Sequence, residues 1–262
     1  MRSLSIAATG LQAQQLHVEV ISNNIANINT NGFKRQEVEF QDLLYQNVQR
    51  AGTNTSDSGT VIPAGIQLGL GVNAGSVYRI FQQGTMNLTG GKYDVAIQGR
   101  GFFKIELPTG DFAYTRAGSF QPNTDGDLVT PEGYKLSPGI NIPGDTVDVT
   151  ISPQGEVSVL QMGQNAATSA GKIDFQSFIN EAGLEGIGDN LFRETAASGP
   201  PIDITAGDAG AGTFLQGYLE ASNVDPVTEL TNLITAQRGY EFNSKVISAS
   251  DDMMKTINEI RN

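Results

Sequence analysis

The sequence predicts an α+β chain, with long N- and C-terminal helices forming a coiled-coil-like core layer, a central antiparallel all-β domain and an extended linker region. Three observations carry that expectation. Glycine and proline are withheld from the two ends: residues 1–32 and 222–262 hold only Gly10, Gly32, Gly239 and Pro226 of the chain's 31 glycines and 10 prolines. Both ends repeat apolar residues every seven positions, the spacing of a packed helical seam. Between them lie short β-branched and aromatic runs separated by turn signals.

Counting from Leu4, the seam positions of the first end are Leu4, Ala7, Leu11, Gln14, Val18, Ile21, Ile25 and Ile28. At about 1.5 Å per residue a helix over 3–28 spans roughly 40 Å. Asn29-Thr30-Asn31-Gly32 then supplies its stop, because Asn and Gly both tolerate left-handed backbone. At the other end, Asp225 suits an N-cap, Pro226 the first helical position and Glu229 the positive end of the helix dipole. Leu233, Tyr240, Ile247 and Met254 follow at intervals of seven, flanked by Leu230, Ile234, Val246, Met253, Ile257 and Ile260. This helix reaches roughly 50 Å.

Helices at opposite chain ends find each other most easily, but two alone leave apolar flank exposed. Further copies of the chain are expected to complete the burial. The competing expectation is an intramolecular helical hairpin that caps a β domain. Residues 50–73 are rich in Gly, Ser, Thr and Asn, yet Val61, Ile62, Ile66, Leu68, Leu70 and Val72 give them more apolar content than a solvated tether needs. They are expected to pack against something. In the middle, residues 102–107, 146–152, 156–160 and 172–178 read as strands. Turns are expected at 108–111, 123–126, 131–133 and 152–155.

Chemistry is scarce. The chain has no cysteine and one histidine, so thiol nucleophiles, zinc–thiolate sites and multi-histidine metal sites have no residues to build them. A formal charge of −12 gives no basic footprint for nucleic acid or anionic lipid. No run approaches the ~18 apolar residues of a membrane span, and the N-terminus lacks a signal-peptide apolar region. Gly69-Leu70-Gly71 and Gly99-Arg100-Gly101 lack the third glycine of a dinucleotide fingerprint. Asn123, Asp125 and Asp127 resemble a calcium loop in composition only, and a hairpin turn explains them better. His17 reads as a helix packing residue, and Asp251 and Asp252 as a solvated face. No catalytic, cofactor-binding or metal-ligating residue is predicted, and no cofactor. Two other classes remain: a β-rich adhesin or carbohydrate-binding module using exposed aromatics such as Tyr114 and Tyr134, and a hydrolase built from carboxylates distant in sequence.

The N-terminal run SIAATGLQAQQLHVEVISNNIANINTNGFKR resembles the signature of bacterial flagellar rod and hook proteins, and residues 217–257 are similar to that family's C-terminal signature. DVAIQGRGFFKI (94–105), AYTRAGSF (113–120) and LVTPEGYKL (128–136) are similar to its β-domain pattern. The signature falls here on Asn23, Asn24, Ala26, Asn27, Thr30, Gly32, Phe33, Asp225 and Pro226. Length and the segment PAGIQLGLGV (63–72) look most like the distal-rod branch, with a proximal-rod or hook paralogue as the competitor.

The resemblance implies a structural subunit that polymerises helically into a straight, rigid, hollow drive shaft carrying torque from motor to hook. Its implied partners are further copies of itself, proximal-rod proteins and hook protein along the axis, periplasmic and outer-membrane ring proteins where the envelope has them, and the flagellar type III export apparatus. Nucleic acid and membrane insertion are not expected. The implied location is the basal-body rod crossing the periplasm, reached by export without a cleavable signal. It also implies terminal helices disordered in the free subunit, and a rod-specific stiffening segment at 46–65. The expected division is 1–32 and 222–262 as the inner assembly core, 33–75 as linker and 76–221 as the outer β domain. Inter-subunit contacts are expected at Leu4, Leu11, Val18, Ile21, Ile25, Ile28, Leu230, Leu233, Tyr240, Ile247, Met254 and Ile257.

Overall fold

A computed structural model describes residues 2–49, 64–164, 166–208 and 210–261. The chain divides into two compact units. One takes residues up to 25, 36–78 and 226 onward; the other takes 26–35 and 79–225. The first holds both long helices, α1 (Arg2–Ala26) and α2 (Pro226–Arg261). At about 1.5 Å per residue they run roughly 37 and 54 Å.

Helix α1 stops two residues short of Ile28, which the seven-residue repeat had placed on the helix. The stop is local chemistry. Asn27 accepts from Thr30 twice, through its carbonyl from the amide at 3.2 Å and through Oδ1 from the hydroxyl at 3.2 Å. Gly32 then turns the chain at φ +72°. A Cβ there would lie 2.6 Å from the backbone nitrogen of Ala117, so the close approach also requires glycine.

The first unit also shows that the predicted linker is not a plain tether. Strand Gln36–Asp42 pairs with Val72–Arg79, and Tyr45–Gln49 pairs antiparallel with Ile66–Gly69. The result is a two-stranded ribbon. It meets α1 where Thr9 Oγ1 accepts from the amide of Val72 and where His17 sets its ring edge-on against Phe40 at 5.7 Å. Leu44, Tyr45, Val48, Ile66 and Leu68 stay exposed on it. Val61, Ile62 and most of the 46–65 segment lie outside the described residues.

The second unit is built of β-strands, with one short 3-10 helix at Glu181–Gly183 among the described residues. Strand Phe102–Glu106 is its centre, hydrogen-bonded to Phe112–Thr115, Lys135–Leu136 and Phe175–Ser177 within a nine-stranded antiparallel sheet. Thr146–Ile151, Glu156–Gln161 and Thr168–Lys172 form a three-stranded sheet. The main core joins both, with Phe103, Ile105, Leu136, Ile140, Val157, Ile173 and Phe214 buried. The run 172–178, read from sequence as one strand, is two. Lys172 ends the three-stranded sheet opposite Glu156, and Phe175 starts in the large sheet opposite Phe103. Ile173 and Asp174 make the crossing, bonding instead to Gly155 and Ser137.

The expected turns form for visible reasons. Leu107 and Asp111 close the 108–111 hairpin, with Gly110 at φ +87°. Asn123 Oδ1 accepts from the amides of Asp125 and Asp127 at 2.9 and 2.8 Å, so the side chain that suggested a calcium loop is spent on an Asx turn. In Gly99-Arg100-Gly101 both glycine carbonyls accept from Arg116 Nη1, at 2.8 and 2.7 Å. A Cβ on Gly101 would collide with the Phe175 ring.

That arginine belongs to the buried charge network on which this unit is built. Glu220, on the short strand Tyr218–Glu220, accepts from Lys34 Nζ at 2.6 Å, from the Gly84 amide at 2.9 Å and from Arg116 Nε at 2.9 Å. The side chains of Lys34 and Glu220 are fully buried and that of Arg116 is 4 % exposed. Burial pushes the Glu220 carboxyl up, but Arg116 and Lys34 outweigh it and hold the group below its ordinary range. Burial lowers Lys34, and attraction to Glu220 offsets only part of that. Asn223 continues the network: its Oδ1 accepts from the Arg35 amide at 2.7 Å, and its Nδ2 donates to the carbonyls of Ile80 and Gln82.

Removing the carboxylate strands two buried cations, a loss of about 3–5 kcal/mol. Glu220→Gln therefore lowers the unfolding free energy of this unit, read from urea denaturation of the full-length chain, by that amount, whereas Glu185→Gln at the exposed Arg193 pair leaves it unchanged. Because the Glu220 carboxyl is depressed on folding, its contribution is fully present above about pH 4.3 and fades as pH falls through the folded value. Wild type loses stability below about pH 4 by this route, and Glu220→Gln does not. Denaturation curves collected against pH check both statements.

Candidate assembly surface

Helices α1 and α2 form an antiparallel pair in strict register. Ser250 Oγ donates to Ser3 Oγ at 3.4 Å, and Asn24 Nδ2 donates to Glu229 Oε2 at 3.3 Å. Between these, a Cβ on Gly10 would lie 2.9 Å from the Asn243 amide, and one on Gly239 would lie 3.0 Å from Gln14. The residue numbers in every pair give the same total, as constant register requires. The inner layer is thus small or polar: Ser3, Gly10, Gln14 and Asn24 against Glu229, Gly239, Asn243 and Ser250, with Ala7 and Ala236 buried beside them. Small residues let the backbones approach closely but bury little apolar area.

The rows predicted from sequence lie mostly at the edge of this layer. Of the first row, Ile21 is buried at 2 %, while Leu4, Leu11, Val18 and Ile25 are half-buried and Ile28 sits half-buried in the turn after α1. Val18 and Tyr240 line one groove of about 410 Å³ together with Gln15, Glu19, Gln237 and Glu241. Steps of seven along each helix carry that pairing to Leu11 with Ile247, Leu4 with Met254 and Ile25 with Leu233. Leu233, Ile247 and Met254 are half-buried, and Leu230, Tyr240 and Ile257 are exposed. Leu4, Leu11, Val18, Ile25, Leu233, Tyr240, Ile247 and Met254 thus fall along one side of the pair as an apolar furrow. Register also sets Arg2 opposite Asp251, so the last ten residues of α2 run about 15 Å past the start of α1. Met253, Ile257 and Ile260 are exposed there.

The signature residues do structural work at the ends of these elements. Asn24 is 1 % exposed; besides Glu229, its Nδ2 donates to the Gln36 carbonyl at 2.9 Å, and its Oδ1 accepts from the Gln36 amide at 2.8 Å. Asn27, Thr30 and Gly32 build the turn described above, and the Phe33 amide donates to the Thr30 carbonyl at 3.3 Å. Asn23 and Ala26 are exposed on α1, Asp225 is exposed, and Pro226 opens α2.

Sequence reasoning did not find Lys34, Arg116, Glu220 and Asn223, whose partners are up to 188 residues apart. It also missed the inner layer itself, although Glu229, Ala236, Asn243 and Ser250 repeat at intervals of seven. Among the described residues no group of three or more His, Asp or Glu is placed to hold a metal ion, and no helix is long and apolar enough to cross a membrane. Asp251 and Asp252 both face Lys255 on the surface, at 3.2 and 3.5 Å. Tyr114, an aromatic named for a carbohydrate platform, is 2 % exposed, and burial pushes its hydroxyl up to about 12. Tyr134 is half-buried beside the main core.

A chain with exposed apolar residues along the whole of a helix pair, and with a separate well-packed β unit, has the build of a self-assembling structural subunit. Comparison with known proteins agrees. Residues 4–34 match the model described as flagella basal body rod protein, 96–159 that of the flagellar hook protein FlgE/F/G D1 domain, and 215–260 that of the flagellar basal body rod FlgEFG protein C-terminal region. The chain is 56% identical to the flagellar basal-body rod protein FlgG of Caulobacter vibrioides over the whole of both chains. It is 38% identical to that of Bacillus subtilis over 98% of each. Against the flagellar basal-body rod protein FlgF of Caulobacter vibrioides the identity is 36%, over 91% of this chain and 89% of that one. The chain belongs to the flagellar basal-body rod and hook protein family.

The Asn24 side chain makes three hydrogen bonds. Asn24→Leu leaves the Gln36 amide unpaired, a local loss of about 1–3 kcal/mol. Hydrogen exchange at Gln36 and in the last turn of α1 is expected to speed up roughly tenfold or more, with the β unit unchanged.

Proposed function

We propose that the chain is a structural subunit of the flagellar distal rod, which polymerises into a straight, rigid, hollow shaft transmitting torque from motor to hook. The observation that carries this reading is the α1–α2 pair, whose close, small-residue interior leaves Leu230, Ile234, Tyr240, Val246, Met253, Ile257 and Ile260 exposed along its length. Such a surface is unstable in water alone and is covered by neighbouring copies. Greater identity to the FlgG protein of Caulobacter vibrioides than to the FlgF protein of the same organism supports the distal branch over the proximal one.

In this reading residues 1–32 and 222–262 make the inner layer, 76–221 the outer β layer and 33–75 the connection. The inter-subunit contacts are Leu4, Leu11, Val18, Ile21, Ile25, Ile28, Leu230, Leu233, Tyr240, Ile247, Met254 and Ile257. Proximal-rod and hook proteins adjoin the shaft axially, ring proteins surround it, and the subunit reaches the periplasm through the type III export apparatus. The role is mechanical and needs no catalytic step.

Burying one large aliphatic side chain is worth roughly 1.5–3 kcal/mol per contact, repeated at every subunit. Leu11→Asp and Ile247→Asp, both in the furrow, therefore abolish rods in electron micrographs while the unfolding midpoint of the β unit stays at the wild-type value. Intact rods in either variant would remove the furrow from the interface. Deleting residues 46–65 yields a more bendable tube, and unchanged straight rods would contradict a stiffening role for that segment.

A further inference from the structure

The turn that follows α1 carries the chain's only Asn-Gly step, Asn31-Gly32. Such a step is chemically labile. The backbone nitrogen after an asparagine can attack the side-chain carbonyl carbon, and glycine, having no Cβ, lets the chain bend into the five-membered ring that results. Two conditions decide whether it does: the nitrogen must give up its proton to solvent, and the backbone must be free to close the ring.

In the folded β unit neither condition is met. Gly32 is buried, and its amide donates to the Glu220 carbonyl at 2.8 Å. Its neighbours are held as well: the Thr30 amide donates to the Asn27 carbonyl at 3.2 Å, the Phe33 amide to the Thr30 carbonyl at 3.3 Å, and Lys34 Nζ to the Glu220 carboxylate at 2.6 Å. Gly32 stands at φ +72°, and because a Cβ there would lie 2.6 Å from the Ala117 nitrogen, the glycine is pressed against another segment. The Asn31 side chain, by contrast, is held by no hydrogen bond among the described residues. It lines a polar cup of about 130 Å³ with Ser119, Thr130, Glu132, Asp189 and Asn190. Protection therefore lies in the attacking nitrogen and not in the amide it would attack.

We propose that Asn31 is a self-modifying site that closure of the Gly32 turn silences, open to reaction only while the β unit is unfolded. In the open chain the Gly32 nitrogen bonds to Asn31 Cγ; the Cγ–Nδ2 bond breaks, and Nδ2 leaves as ammonia with the proton that Gly32 gave up. Water then opens the ring. Hydrolysis at Cγ gives aspartate, and hydrolysis at the main-chain carbonyl gives isoaspartate, whose backbone runs through Cβ and Cγ and is one carbon longer. No oxidation or reduction is involved. Both products oppose the turn. Each adds a carboxylate to a cup already lined by Glu132 and Asp189, where like charges repel. The longer backbone of isoaspartate also displaces the Gly32 amide from the Glu220 carbonyl. A chain that reacts before it folds thus loses the bond that would have stopped the reaction. Only the β unit's own fold enters here, so the site is independent of whether copies polymerise.

Full-length wild type is held in native buffer and in guanidinium chloride at the same mildly alkaline pH. Peptide mass spectrometry follows the exchange of NH2 for OH at Asn31, and an isoaspartate methyltransferase counts isoaspartate. Reaction at Asn31 is expected to run at least about tenfold faster in the unfolded chain, because the folded unit reacts only through openings of the turn, and to outpace every other asparagine there. Gly32→Ala, compared with wild type in guanidinium so that folding plays no part, slows it severalfold, because a Cβ hinders ring closure. After dilution into native buffer, chains modified at Asn31 are depleted from the protease-resistant fraction. Equal rates in the folded and unfolded chain would overturn the gate. An Asn31 no more reactive than other asparagines in the unfolded chain, or one that ignores Gly32→Ala, would overturn the site. Modified chains that refold as fully as unmodified ones would overturn the conflict between the products and the turn.

Discussion

Two helices in contact cannot cover an apolar surface that extends beyond their shared face, and everything else about this chain follows from that. The inner layer of the α1–α2 pair is made of Ser3, Gly10, Asn24, Glu229, Gly239, Asn243 and Ser250, so the helices lie close but draw little stability from each other. Their large side chains are displaced to the flanks, where Leu4, Leu11, Val18 and Ile25 are half-buried and Phe242, Met253 and Ile260 are exposed. In the proposed assembly this pair is the interface, and its apolar area is worth most when other helices arrive.

The β unit answers a different demand. Its stability is internal, set by Phe103, Ile105, Val157 and Phe214 in the core and by Glu220 between Lys34 and Arg116. Residues 26–35 and 222–225 belong to this unit, so the segment leaving α1 and the segment entering α2 are both part of it. The signature stretch thus serves two purposes. Up to Asn24 it shapes the helix pair, and from Asn27 through Lys34 it anchors the β unit through the Thr30 and Gly32 turn and the buried lysine.

Periodicity made the helices legible. Glycine placement and seven-residue spacing located α1 and α2 to within a few residues, and turn chemistry located the hairpins at 108–111 and 123–126. What periodicity does not reveal is a contact layer without large apolar residues, and so Gly10 and Ser250 went unread and Asn24 was read only as a signature residue, while Leu4 and Leu11 were taken as the seam. The Lys34–Glu220–Arg116 network has no local signal at all, since its parts meet only when segments 104 and 186 residues apart are brought together. The stretch read as linker pairs with itself as a ribbon, for which the excess of Ile66, Leu68 and Val72 was the available hint. The run 172–178 changes sheets at Ile173, a break that composition could not show.

The central claim is that assembly is the business of the helix pair, with the β unit folded and unchanged throughout. Hydrogen–deuterium exchange compared between free subunit and assembled polymer tests it most directly. The account predicts that amides of residues 2–25 and 226–261 become strongly protected on assembly, while the β core from Phe102 to Val159 keeps the protection it already had. Slow exchange in both helices before assembly, with new protection confined to the β core afterwards, would contradict it.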